Sequence, residues 1–159
     1  DEIYVSNRNP EKISHLANVV NICENNSDLA ENAQVIVMCV RPTDIKSVLE
    51  DIAGKINDDS IIVSLNGSVS FESLAKIVSH KMAKVIPSVT AEINRSQTLV
   101  CFNEHMNSAD KEVIFSLFKC VGNVIELPEA EMGMGSELVS CMPGFIAIGY
   151  QYRRTHQRQ

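Results

Sequence analysis

Residues 34–66 read QVIVMCVRPTDIKSVLEDIAGKINDDSIIVSLN, and the succession of patterns along them decides the fold. QVIVMCV is an uninterrupted apolar run of strand length, the composition of a strand covered on both faces. From Pro42 the period changes, and Ile45, Val48, Leu49, Ile52 and Ile56 recur at helical spacing as one apolar stripe. SIIVSLN, residues 60–66, is a second buried strand. A strand, a helix and another buried strand joined by short turns make a βαβ unit, with parallel strands and a right-handed crossover.

The same alternation extends in both directions. Upstream, IYVSN (3–7) reads as a strand. PEKISHLANVV (10–20) predicts a helix opened by Pro10, with Ile13, Leu16, Ala17 and Val20 on one face. Val19 to Ile22 starts a short strand, and Ser27 caps a brief helix, SDLAENA. Downstream, SFESLAKIVSH (70–80) is a helix capped by Ser70 with Glu72 in its first turn, and AKVIPS (83–88) is a strand. QTLVCFN and NVIELP then flank the helix SADKEVIFSLFKCV. From Glu129 onward the chain reads as helical, although Gly133, Gly135, Pro143, Gly144 and Gly149 interrupt the pattern. No repeat, low-complexity tract or linker divides it. The expectation is an α/β protein with a mostly parallel sheet followed by a C-terminal helix.

Bulk properties narrow the function. The 159 residues are 45% hydrophobic and 21% charged, a globular composition. With 14 basic and 20 acidic residues the formal charge is −6, so no broad basic surface exists for nucleic acid. No apolar run approaches the roughly 20 residues that span a bilayer, and no charged leader precedes the first strand, so the expected location is cytoplasmic. Cys39, Cys101 and Cys120 lie in apolar stretches, where a thiol packs as a small hydrophobe. The five cysteines and four histidines show neither disulfide nor metal spacing, and no metal is expected. Cys141 sits beside Ser140 near a helix start but has no histidine to activate it, so no catalytic residue is assigned. Glu126, Glu129 and Glu131 read as a solvated edge.

Chemistry in an open parallel sheet gathers at the carboxyl ends of its strands. Those tips here are Ser6-Asn7-Arg8, Cys39-Val40-Arg41-Pro42, Leu65-Asn66-Gly67 and Pro87-Ser88. Two carry guanidinium groups. On the residues alone, Arg8 either solvates a loop or meets a phosphate.

Taken in order, SNRNPEK, Asn26 with SDLAENAQVIV, CVRP, VSLNGSVS and LVSCMPGF resemble the pyrroline-5-carboxylate reductase family. VIPSVT and LVSCMPGF are most like its ComER-like late-competence branch. The resemblance covers the chain to about Tyr150 and implies a Rossmann-like, doubly wound fold: an incomplete NAD(P)-binding domain over 1–128 and the start of a helical region over 129–159. It implies NADPH-dependent reduction of a cyclic imine, of the type that makes proline, or else a non-catalytic dinucleotide-binding or regulatory role. It also implies a homodimer built through C-terminal helices. By residue-for-residue transfer, Ser6 and Arg8 would hold the adenosine ribose and its 2′-phosphate, and Asn26 would lie beside the adenosine half. Cys39, Val40, Arg41 and Pro42 would run along the cofactor, with Leu65 and Asn66 near the nicotinamide end.

The family pattern also has parts not matched here. Its first strand with a GxGxxG turn has no counterpart, since Gly133-Met134-Gly135 follows an acidic segment rather than a strand. The sequence is thus expected to begin at the family's second strand, lacking its first βα unit, and to stop before the helical dimerisation domain. This stretch alone is expected to be inactive. Ser88 stands where the family carries Asn, and Met142 where it carries Gly.

Overall fold

A computed structural model describes residues 2–156, and the end of the basic C-terminal stretch, 157–159, lies outside the described residues. The strands form two sheets. In the smaller, β1 (Tyr4–Val5) pairs in parallel with β2 (Asn21–Ile22). The larger has the order β3 (Val35–Met38), β4 (Ile61–Ser64), β5 (Met82–Ile86), β6 (Ser96–Phe102), β7 (Gly122–Glu126). Strands β3, β4 and β5 are parallel, β6 runs antiparallel to β5, and β7 is parallel to β6. The β1–β2 pair stands apart from β3, as the second and third strands of a doubly wound sheet stand apart from the fourth. In the order 3-2-1-4-5-6 the first strand is the one bonded to both the second and the fourth.

The large sheet has helices on both faces. On one face, α1 (Asn26–Asn32), α2 (Ile45–Ile52) and α3 (Phe71–Ala75) bring Ala30, Leu49, Ile52 and Leu74 onto Ile36, Met38, Ile62 and Met82. On the other, α4 (Ser108–Lys119) sets Ile114 against Val63, Ala83, Val85 and Val100. The stripe read from residues 42–56 therefore faces the core, with Ile45, Leu49 and Ile52 all buried. Each such side chain contributes roughly 1.5–3 kcal/mol relative to exposure. Helix α4 opens with a reciprocal capping box between Asn107 and Asp110. After β7 the chain enters a 3₁₀ turn, Glu129–Glu131, then α5 (Met132–Ser136), a π turn at Glu137–Cys141, and α6 (Met142–His156). Met132 closes a third cluster with Leu99 and Cys101.

Four local expectations are corrected. Residues 10–20 form two 3₁₀ turns, Pro10–Lys12 and Ser14–Leu16, rather than an α-helix. Of that stretch only Ile13 is buried, so an α-helix there has no apolar face to stabilise it. Helix α1 is capped by Asn25, whose Oδ1 accepts the Asp28 amide at 2.8 Å, and Ser27 instead donates to the Asp51 carbonyl. Strand β3, at the edge of the large sheet, is fully covered on the Ile36–Met38 face but only partly on the other, where Val35 packs against the α4 cluster and Val37 stays 40% exposed. Cys101 is buried as expected, but Cys39 and Cys120 are exposed.

Candidate functional site at the strand tips

The turns after β1 and β3 converge. Ser6 follows β1 and its hydroxyl donates to Asn26 Oδ1 at 3.0 Å, tying that tip to the first residue of α1. Two residues on, Arg8 Nη2 lies 3.3 Å from Asp44 Oδ2, in the 3₁₀ turn (Pro42–Asp44) that follows β3. The pair sits in solvent, with the Arg8 side chain 89% exposed. Asn9 shapes this loop by accepting the Glu11 amide at 3.1 Å, which lets Pro10 start the next turn.

After β3, Cys39 is exposed and Val40 rests against the core. Arg41 and Pro42 are exposed, and the Arg41 guanidinium has no partner among the described residues. The Arg41 carbonyl accepts the Asp44 amide at 2.9 Å, closing the turn. After β4, the Leu65 amide donates to the Met38 carbonyl at 3.3 Å, which keeps the third tip beside the second. Asn66 Oδ1 accepts both the Ser68 amide (2.9 Å) and the Ser68 hydroxyl (2.7 Å). A Cβ at Gly67 would come within 2.7 Å of Ile86 Cδ1, so a side chain there would make the Ile86 tip give way. The structure thus joins Ser6 to Asn26, Arg8 to the turn carrying Arg41 and Pro42, and Leu65 to β3.

Ser88, after β5, is buried and spends its hydroxyl internally. It meets Thr90 Oγ1 at 2.7 Å and accepts the Gln97 amide at 3.2 Å.

Two residues carry no site reading in the sequence, Asp44 and Lys84, and a third, Glu129, changes its role. Asp44 falls inside the α2 pattern in the sequence, and its place two positions after Arg41-Pro42 is the one signal that sets it apart. Lys84 stands at an apolar strand position and is 2% exposed. Its Nζ is 2.6 Å from Glu129 Oε1 and 5.2 Å from the centre of the Phe71 ring. Glu129 is thereby removed from the solvated acidic edge expected for it. Its Oε1 also accepts the Phe71 amide at 2.8 Å. Burial pushes the Glu129 carboxyl up, but the Lys84 ammonium and the Phe71 amide outweigh this and hold it below the usual carboxylate range. Beside them, burial drives the Cys101 thiol up to about 11 against the opposing Lys84 charge, which leaves it protonated.

A hollow of about 370 Å³ lined by Gln34, Val35, Ser60, Ile61 and Asp110 lies at the opposite, amino ends of β3 and β4. Its carboxylates Asp59 and Asp110 are already paired with Lys81. No group of three or more His, Cys, Asp or Glu among the described residues is arranged to hold a metal. None of the described helices is long and apolar enough to cross a membrane.

The donor set at the tips suits a phosphate-bearing nucleotide: two guanidinium groups, a serine hydroxyl and an asparagine amide around converging turns. The fold defines the class as a Rossmann-like α/β domain. The family described as "NADP oxidoreductase coenzyme F420-dependent" matches residues 1–68. ComE operon protein 4 of Bacillus subtilis is 28% identical over 146 residues, 90% of this chain and 54% of that protein. Pyrroline-5-carboxylate reductase of Escherichia coli is 27% identical over 132 residues, 80% of this chain and 49% of that protein. A crystal structure of the Plasmodium falciparum pyrroline carboxylate reductase with NADP bound superposes with a TM-score of 0.82 at 21% identity, over 94% of this chain and 55% of that one. The chain is similar to the pyrroline-5-carboxylate reductases in sequence and in fold. It spans about half the length of the curated relatives it matches.

Proposed function

We propose that this chain carries the dinucleotide-binding part of an NADPH-dependent reductase that acts on a cyclic imine such as 1-pyrroline-5-carboxylate. The observation that carries the reading is the convergence of Ser6, Arg8, Asn26 and Arg41 at adjoining strand tips. In this reading Ser6 and Arg8 take the adenosine ribose and its 2′-phosphate, and Asn26 lies beside the adenosine half. Cys39, Val40, Arg41 and Pro42 line the path toward Leu65 and Asn66 at the nicotinamide end. The cofactor supplies the hydride when bound, so the protein's task is to hold and orient it rather than to provide a nucleophile. The exposed apolar side chains of α6 are the surface through which two copies associate.

The test is to incubate the intact protein with NADPH and 1-pyrroline-5-carboxylate and follow cofactor absorbance. Imine-dependent oxidation supports the reading, and none removes the catalytic claim. Arg8→Asp should weaken NADPH more than NADH, by about 2 kcal/mol for one lost charge-assisted contact and one added repulsion. Equal losses for both would show that Arg8 does not meet the phosphate.

One observation favours a second reading, a ComER-like protein that binds the dinucleotide without turnover. Ser88, where the reductases carry Asn, is buried and its hydroxyl is committed to Thr90 and Gln97. NADPH binding in titration with no oxidation by any imine supports this second reading.

A further inference from the structure

We infer that Asp44 limits the preference for the phosphorylated over the unphosphorylated nucleotide, by competing with the 2′-phosphate for Arg8. The inference rests on the assignment of Arg8 above and goes beyond it. Asp44 is the N-cap residue of α2, a position where a carboxylate ordinarily accepts an amide of the first turn, yet it makes no such bond. Its carboxylate is instead turned to the side. Oδ1 takes the Thr43 hydroxyl at 3.3 Å and Oδ2 takes Arg8 Nη2 at 3.3 Å.

The geometry argues for competition rather than support. A carboxylate that positions an arginine for a ligand usually grips it through two short bonds and shields it. Here one long contact holds a guanidinium whose side chain is 89% exposed, too little to fix its orientation. A phosphate reaching Arg8 must displace or share this carboxylate and meets a like charge in the same step. A nucleotide with a free 2′-hydroxyl meets no such repulsion, and an acidic side chain at this place is a ready acceptor for ribose hydroxyls. Asp44 therefore narrows the discrimination that Arg8 provides.

The probes are adenosine 2′,5′-bisphosphate and 5′-AMP, titrated calorimetrically into the intact protein and its Asp44→Asn and Arg8→Gln variants at fixed, low salt. Asp44→Asn keeps the backbone turn and side-chain shape, and should tighten the bisphosphate roughly three- to ten-fold, the scale of one charge repulsion near a protein surface. 5′-AMP should be unchanged or weaker. If Asp44→Asn leaves the bisphosphate unchanged or weakens it while Arg8→Gln abolishes the preference for it, the inference fails and the assignment of Arg8 stands. If Arg8→Gln keeps the full preference, or no form binds the bisphosphate, the assignment falls and the inference with it. Raising the salt should shrink the gain in Asp44→Asn, because both charges are exposed.

Discussion

Lys84 presents a cationic side chain from the middle of β5 into a nearly dry setting, and Glu129 is what makes this tolerable. The two partners are not equivalent. Lys84 is 2% exposed at its side chain while Glu129 is 36% exposed, so removing the acid strands a buried charge, whereas removing the base leaves a carboxylate that water can reach. Glu129→Ala should therefore cost about 3 kcal/mol in urea unfolding, and Lys84→Met, which refills the space beside Phe71 and Cys101, clearly less. Equal costs would show that the burial asymmetry has no energetic weight. The pH dependence has a definite sign. Glu129 titrates below its ordinary value in the folded chain, so its contribution is complete above the unfolded carboxylate range and is lost as pH falls through the lower folded value. The difference in melting temperature between the wild type and Glu129→Gln should stay constant near neutrality and shrink only in that acid window. Sequence patterning could not supply this pair, because a lysine in an apolar run and a glutamate 45 positions later carry no mutual signal. The Arg8–Asp44 contact was hidden for the same reason, while Arg8 and Arg41 were legible as cations at strand ends.

At the scale of elements, legibility followed burial. Strands β4, β5 and β6 and helices α2 and α4 declared themselves because their apolar periodicity is the face they bury, as with Ile45, Leu49 and Ile52 on α2. Residues 10–20 carried helical spacing but no burial to match it, and they settled into 3₁₀ turns. The QVIVMCV run overstated its own coverage, since a sheet's edge strand has one neighbour and Val37 faces outward. A feature no pattern announced is the start of β7. Gly122 has φ of +146°, and a Cβ there would meet the Ser96 carbonyl oxygen at 2.3 Å. Because Ser96 is the residue paired with Gly122 in the β6–β7 ladder, the clash would fall on backbone that cannot step aside. Gly122→Ala should cost on the order of 2 kcal/mol or more, from the strained dihedral and the contact together. In amide exchange the loss of protection should concentrate at the Ser96 and Asn123 end of the ladder. A change below about 0.5 kcal/mol would mean that the ladder relaxes around an added methyl group more freely than its register suggests.

For the whole molecule, what remains unbalanced is the contrast between a closed sheet-and-helix body and an open α6. In the body, both faces of the large sheet are covered and the isolated exposed apolar residues need no explanation. Along the last two helical segments the situation differs. Leu138, Met142, Phe145 and Ile146 fall at helical spacing and are between 42% and 65% exposed, with Ile148 and Tyr150 exposed further on. A helix with such a stripe is stable only when something covers it. A second copy of the chain satisfies this by symmetry, since each α6 offers the other the same apolar row. The intact protein should therefore sediment as a dimer at micromolar concentration. Phe145→Glu combined with Ile146→Glu should shift it to monomer, because two buried charges at the centre of an apolar seam cost more than the contacts they replace. The variant's unfolding midpoint should then lose the dependence on protein concentration that a coupled dimer shows. If the wild type is monomeric across that range, the stripe is covered within one chain and the proposed association fails. If it is dimeric and the double variant remains so, the seam lies elsewhere than on α6.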